Sequence, residues 1–557
     1  ESLAWAHHGS LARELRLVVE ERMKAGQLKA IVSTNTLELG IDIGQLDQVL
    51  LVQTPRQVSS ALQRIGRSGH GVGETSRAIL FPLPGIDLAE AACMAHAVHN
   101  RDIEEIRIPE SPLDILSQIL LSMVVSRDWT ADGLYTAILA CWPYRNLPRR
   151  HFDLVLDLLA GRYAITKVSE LSPRISIDPL DGRLKAKPGA ARLLYLSGGT
   201  IPDRGLFDLR VDGSNAKIGE LDEEFVWERS PGDTFALGSQ VWRIQSISEN
   251  AVSVRQVHEP PGIIPFWKQE NLPRDWHFSE RLGIFMNLMD TTPSNQQEAL
   301  LMQDYAMRPE AARELRDLVA RQKESTGCAL PHRSHIVIEH SRESTGPTGS
   351  KSVLLHTLWG SRINQPFALA LSAAWKRLHG WRLETFVNND AIALLVPHEV
   401  EATFFSLVTP ENLESLLRES LESSGFFGAL FRENAGRALL LPKGSFNKRI
   451  PLWMTRLRSK KLLDAVSNKP DFPLMLETWR SCLADEFDLP ALHQLLDEIG
   501  AGTIRISECH TTTPSPFAEG ILWRLTNRFM YEDDTPEQDK PSSLTAELYR
   551  QLVNTPH

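Results

Sequence analysis

The chain has 557 residues, too many for one hydrophobic core, and its length predicts three or four domains. Its 42% hydrophobic content is that of soluble globular protein, and no apolar run approaches the length of a membrane span, which argues against a membrane partner. A formal net charge of -10 counts against a protein that coats nucleic acid by charge alone, though not against a narrow basic channel. The five cysteines (Cys93, Cys141, Cys328, Cys482, Cys509) stand far apart without a C-x-x-C pair, which argues against a zinc site and fits the reducing cytoplasm.

Residues 1–104 read as most of a parallel α/β domain. Leu15, Val18, Val19 and Met23 recur at helical spacing within a helix over 11–25. Short apolar runs at 30–32, 48–52 and 79–82, bounded by polar turns, predict buried parallel strands, with helices at 59–65 and 87–98. Asp87 is expected to cap the last helix. Between these elements lie two polar blocks, Ser33-Thr34-Asn35-Thr36-Leu37-Glu38-Leu39-Gly40-Ile41-Asp42-Ile43-Gly44 and Gln63-Arg64-Ile65-Gly66-Arg67-Ser68-Gly69-His70. They are expected at the strand ends where open α/β sheets bind ligands, and an arginine fork held there matches phosphate oxygens.

Residues 105–190 predict a winged helix. Leu113, Leu116, Leu120 and Val124 share one helical face, Thr130 caps a second helix, and Pro148 opens a third that begins with Arg149 and Arg150. Asp181-Gly182 between two short strands signals a hairpin. The arginines either face nucleic acid, as the third helix usually does, or lie on a solvated helix start.

From residue 191 short strands follow one another to about 257, a pattern that suggests a small barrel or strongly curved sheet. Trp227 and Trp242 inside strands suit core packing, whereas Trp267, beside Lys268 and after Pro260-Pro261, suits stacking on a base; a buried Trp267 is the plain alternative. Residues 271–531 alternate helices and strands, and the acidic, proline-bearing stretch after 532 is expected to be mobile. His335 and His340 lie five apart on a strand, so they point to opposite faces and make a poor zinc pair. Lys443, Lys448, Arg449, Arg456, Arg458, Lys460 and Lys461 form a basic cluster that is either a nucleic-acid patch or a solvated face. Gly349-Ser350-Lys351-Ser352 lacks the G-x-x-x-x-G-K-[ST] spacing and reads as a surface hairpin loop. Asp485-Glu486-Phe487-Asp488 reads as a solvated acidic turn. The whole is an α/β plus α+β multidomain chain: a partial RecA-like domain (1–104), a winged helix (105–190) and a large mixed domain (191–555) with a β-barrel-like part.

The two polar blocks resemble motifs V and VI of superfamily 2 helicases, and His7-His8-Gly9-Ser10-Leu11 resembles the block just upstream of motif V. HHGSL, LELGIDIG and QRIGRSGH in this order are similar to the large helicase-related (Lhr) family. The likeness continues through Glu110-Ser111-Pro112-Leu113-Asp114, Ile218-Gly219-Glu220-Leu221-Asp222-Glu223, Phe266-Trp267 and Pro514-Ser515-Pro516-Phe517-Ala518.

That resemblance implies an ATP- and magnesium-dependent DNA helicase, moving 3′ to 5′ on single-stranded or tailed DNA, with RNA:DNA hybrids as a further substrate and a role in DNA repair or remodelling. It implies Arg67 as an arginine finger, Gln63 and Arg64 as its γ-phosphate-sensing neighbours, and Gly40, Asp42 and His70 on the nucleotide side. Thr34, His8 and Ser10 would meet the nucleic-acid backbone, and Trp267 the tracking strand. His70 replaces the second arginine of many helicases, and a mostly neutral imidazole is a weaker finger. Neither a phosphate loop nor an acidic metal box is present, and the chain opens at Glu1. The expectation is therefore the C-terminal part of a longer motor, inactive alone, whose first RecA-like domain holds the main ATP and magnesium ligands. The rival is a non-catalytic nucleic-acid-binding module.

Overall fold

The computed structural model describes the chain except residues 1–3, 10, 12, 39–45, 70–72, 164–167, 202–205, 215, 223–225, 227–230, 238–239, 249–250, 258–272, 342–349, 382, 398–402, 423, 442–443, 446–447, 451 and 523–557. Ser10, Gly40, Asp42, His70, Trp227, Trp267 and the acidic tail thus lie outside the described residues.

The first lobe is built from parallel strand pairs. β1 (Trp5–His7) pairs with β2 (Ile31–Ser33) across α1 (Arg13–Lys24). β3 (Val49–Val52) pairs with β4 (Ala78–Phe81) across α2 (Val58–Ile65), and α3 (Asp87–Asn100) follows. Strand alternation sends Leu51 inward and leaves Leu50 and Val52 58% and 74% exposed, with Phe81, the register partner of Val52, 48% exposed. The expectation of fully buried strands is therefore corrected: among the described residues one face is covered and the other open. Asp87 is corrected too. It is the first residue of α3, and its carboxylate accepts from the Leu83 and Thr54 amides at 2.7 and 3.2 Å, fastening the loops after β4 and β3.

The winged helix comprises α4 (Leu113–Ser126), β5 (Trp129–Thr130), α5 (Ala131–Leu139), α6 (Arg149–Ala160), β6 (Ile175–Ile177), β7 (Arg183–Ala186) and α7 (Ala190–Ser197). Thr130 caps α5 as expected, accepting from the Gly133 amide at 3.2 Å. Leu116, Leu120, Leu134, Phe152, Val155 and Leu184 form its core. Next come β8 (Leu206–Val211), β9 (Lys217–Asp222), β10 (Thr234–Leu237), β11 (Gln240–Ile247) and β12 (Ala251–Val257). They form a sheet of order β10-β11-β12-β8-β9, with β12 parallel to β8. The barrel-like part is corrected: β10 and β9 end the sheet without pairing to each other among the described residues, so it stays open. Trp242 packs in its core with Phe235, Ile244 and Val252.

Three helices, α8 (Trp276–Thr291), α9 (Ser294–Asp304) and α10 (Pro309–Thr326), bury Phe278, Leu282, Met286 and Leu315 against Val58, Ala61 and Met94 of the first lobe. Then β13 (His335–Ser341), β14 (Ser350–His356), α11 (Ser361–His379), β15 (Glu384–Val387) and β16 (Ala391–Pro397) lead to α12 (Leu413–Leu421) and α13 (Gly425–Arg437). The two-residue strands β17 (Gly444–Ser445) and β18 (Lys448–Arg449), then α14 (Leu452–Val466), α15 (Pro473–Arg480), α16 (Leu489–Gly500) and β19 (Arg505–Thr511) close the described chain. The sheet order is β15-β16-β14-β13-β19.

Ser350 to Ser352 open strand β14, not the helix that a phosphate loop precedes. His335 sits 2.8 Å from Ser507 Oγ, and His340 Nε2 lies 3.3 Å from Glu508. The solvated acidic turn is corrected. Asp488 is buried, caps α16 through the Ala491 amide and accepts from Arg107 at 2.6 Å, while Asp485 accepts from both Nη atoms of Arg480. Helix capping and arginine pairing satisfy those two carboxylates.

Candidate nucleotide and nucleic-acid edge

β1 and β2 are parallel and register His7 opposite Ser33, so the residues that follow them, His8 and Thr34, leave the sheet at one carboxyl edge. That is where open α/β sheets meet ligands. The turn Asn35–Leu37 is pinned there by Thr36, whose Oγ1 donates to His7 O at 3.1 Å and lies 2.8 Å from His7 Nδ1. His7 is buried, with its Nε2 3.0 Å from Glu20. Burial, then the neighbouring His7 and Arg16, holds the His8 pKa below its ordinary value, which favours a neutral imidazole that exchanges hydrogen bonds.

The arginine block grows from α2. Gln57 provides no side-chain cap; instead Glu104, from beyond α3, accepts the Val58 amide and, at 3.0 Å, the Ser59 amide. Those are two of the orphan donors at a helix start. At the other end Gln63 is exposed, whereas Arg64 and Arg67 are half-buried. Arg64 Nε donates to Glu38 Oε2 at 2.9 Å, Ser60 Oγ donates to Glu38 Oε1 at 2.9 Å, and Arg67 Nη2 donates to the Glu38 carbonyl at 2.5 Å.

The following bend is fixed by Ser68, which donates to Arg77 O and accepts the Arg77 amide. Gly69 has φ 66°, and a Cβ there would stand 2.8 Å from the Thr75 backbone, so the bend requires glycine. Gly69 N bonds Leu46 O just ahead of β3, and Arg77 just precedes β4. The arginine block therefore lies at the entry edge of β3 and β4 rather than at their carboxyl ends, because the crossover helix α2 returns the chain to that edge. It still meets the motif V block, through Glu38.

Elsewhere, Arg149 and Arg150 are both exposed, and Arg149 donates to Asp153 and Asp132 at 2.9 and 2.6 Å, with its guanidinium 5.2 Å from the Tyr135 ring centre. In the basic cluster Lys460 and Lys461 are exposed and Arg458 Nε stands 4.0 Å from Glu170. Sequence reasoning assigned no role to Glu38, Glu104 or His7. Glu38 and His7 lay inside quoted motifs, but nothing in the local pattern named their partners; Glu104 carried no signal at all. Among the described residues no group of three His, Cys, Asp or Glu could hold a metal ion.

Parallel strands with crossover helices, an arginine block folded onto the preceding motif, and a winged helix directly after them define the C-terminal lobe of a helicase-type motor. Family models agree: helicase conserved C-terminal domain over residues 4–71, large helicase-related protein winged helix domain over 96–264, and DEAD/H associated over 330–518. The chain belongs to the large helicase-related (Lhr) family.

It is 37% identical over 551 residues to the Lhr helicase/probable uracil glycosylase of Mycolicibacterium smegmatis, covering 98% of this chain and 36% of that protein. It is 36% identical to the Lhr helicase/uracil glycosylase of Escherichia coli, again spanning 36% of the relative's length. Its identity to ATP-dependent helicase Lhr-Core protein 2 of Thermococcus barophilus is 31%, spanning 59% of that protein. The solved structure of the Mycobacterium smegmatis helicase Lhr bound to ssDNA and AMP-PNP matches with a TM-score of 0.76 at 36% identity, covering 94% of this chain and 62% of that one.

Proposed function

We propose that this chain supplies the second motor lobe and the DNA-gripping domains of an ATP-dependent DNA helicase. The observation that carries the reading is the convergence of Arg64 and Arg67 on Glu38, one short turn from Thr34. A nucleotide offered by a first RecA-like domain would meet Arg67, which stabilises charge gathering on the transferring phosphoryl group; such arginines contribute roughly 10³ to 10⁵ in rate. Gln63 and Arg64 would sense the γ-phosphate, with Gly40, Asp42 and His70 on the nucleotide side. Magnesium would be held chiefly by that other domain, as the resemblance implies.

Thr34, His8 and Ser10 would hold the nucleic-acid backbone while the cleft opens and closes. Trp267 would stack on the tracking strand, and the winged helix, with Arg150 the more available of its two arginines, would keep the duplex fork engaged. The substrate is single-stranded or tailed DNA travelled 3′ to 5′, with RNA:DNA hybrids also opened, and the setting is DNA repair or nucleic-acid remodelling in the cytoplasm, in association with the nucleoid. The relative bound to ssDNA and AMP-PNP supports the nucleotide and the DNA. The test is unwinding by the complete motor of duplexes carrying a 3′ or a 5′ tail. Opening of the 3′-tailed substrate alone is expected; opening from the 5′ tail, or no ATP-dependent opening, contradicts the reading.

A further inference from the structure

Glu38 closes the turn that Thr34 opens, and two arginines of the following motif converge on it. Its carboxylate holds Arg64 on one oxygen and Ser60 on the other; Ser60 and Arg64, four residues apart, share a face of α2. Its backbone carbonyl holds Arg67. Each contact uses one nitrogen of a guanidinium fork, and together they set the direction of both forks. A free arginine side chain samples many rotamers, and a contact made beforehand removes part of that entropic cost from the reacting complex.

We infer that Glu38 is the positioning residue of the arginine pair: its carboxylate holds Arg64, and its backbone carbonyl holds Arg67, at the orientation in which they meet the γ-phosphoryl group. This rests on the reading of Arg67 as the arginine that meets the nucleotide. Ser60 steadies the carboxylate from the opposite side, so the contact is a braced strut rather than a surface ion pair. A glutamine in place of Glu38 can offer its amide oxygen to Arg64 and its NH₂ to the Ser60 oxygen, keeping the geometry without the charge. An aspartate keeps the charge but falls one methylene short.

The test uses the complete motor with its first lobe, in four variants: Glu38→Ala, Glu38→Asp, Glu38→Gln and Arg67→Ala. Steady-state ATP hydrolysis is measured with saturating single-stranded DNA, together with the KM for ATP and the Kd for that DNA. Glu38→Ala and Glu38→Asp release Arg64 while leaving the backbone-carbonyl contact to Arg67 in place, and are expected to lower kcat by about 10²-fold, the scale of an ångström-level misplacement. The KM for ATP should rise as well, because Arg64 senses the γ-phosphate of the bound nucleotide, while DNA affinity stays within about twofold. Glu38→Gln should recover most of the lost kcat.

Wild-type kcat in Glu38→Asp, alongside an inactive Arg67→Ala, overturns the inference, as does an equal loss in Glu38→Asp and Glu38→Gln. If Glu38→Ala does not fold, the Asp and Gln variants alone decide. If Arg67→Ala hydrolyses ATP as fast as wild type, the underlying reading of the arginine block falls instead.

Discussion

Arg274 and Glu90 form an ion pair with 0% and 1% of their side chains exposed, Nη1 to Oε1 at 2.5 Å, joining the segment ahead of α8 to helix α3 of the first lobe. Arg274 spends its whole fork there: Asp390 Oδ1 at 2.7 Å, the Leu358 and Asn389 carbonyls at 3.0 and 2.9 Å, and Ser279 Oγ at 3.0 Å. Glu90 also accepts from Arg56, two residues ahead of the helix that carries the arginine block. Gly360, at φ 84°, leaves the room, since a Cβ there would stand 2.3 Å from Arg274 O.

Removing one side of this cluster should be costly. Arg274→Met leaves a buried carboxylate short of a partner, a change worth about 3–5 kcal/mol. Urea unfolding should show the loss, and the double variant Glu90→Gln/Arg274→Met should lose less than the sum of the single variants because the sites are coupled. Strictly additive losses would show that the pair is not a unit.

The winged helix is fastened at the start of α4. The Leu113 amide donates to Glu477 Oε2 at 2.7 Å, and Arg437 Nε donates to Asp114 Oδ2 at 2.5 Å. Glu477→Ala should cost about 1–3 kcal/mol, the cost of a buried donor left unsatisfied. Limited proteolysis within residues 101–112 should speed up in parallel; an unchanged cleavage rate would mean that Glu477 does not hold the winged helix in place.

Acid should weaken the β13 region in two successive windows that overlap between about pH 4 and 4.5. Burial, then His335, holds His332 down to about 4, against an ordinary 6.5. Its Nδ1 accepts the Ser334 amide at 3.2 Å, a role that protonation ends. The unfolded chain takes up this proton first, so stability falls as pH drops from 6.5 toward about 4.

Burial would raise Glu339, but hydrogen bonds from His356 and Ser515 outweigh it and hold the carboxyl at about 2, below its ordinary 4.5. Its share of stability, present above 4.5, is lost as pH falls toward about 2. His332→Asn, which keeps an acceptor near Nδ1, should flatten only the upper window. Unfolding measured across pH checks this; an unchanged slope in the variant would assign that window to another group.

Much of the local order was legible. The helical spacing of Leu116 and Leu120, the cap at Thr130, and the turn at Asp181-Gly182 each act within a few residues, and each element formed. The arginine block was legible as an ordered motif. What held it was not: Glu38 reaches Arg64 across 26 positions and Glu104 reaches Val58 across 46, and no local pattern encodes such a pairing. Asp488 looked solvated because its neighbours are polar, while its real partner, Arg107, lies 381 residues away. Sheet closure likewise depends on which edges meet, which strand spacing does not specify, and of the expected small barrel or strongly curved sheet the described residues form an open sheet.

The most direct measurement is ATP hydrolysis by the complete motor carrying Arg67→Ala, with single-stranded DNA binding titrated on the same preparation. The account predicts that hydrolysis falls by roughly 10³-fold or more while DNA affinity stays near wild type. Hydrolysis close to wild type, with the variant folded and bound to DNA, would contradict it.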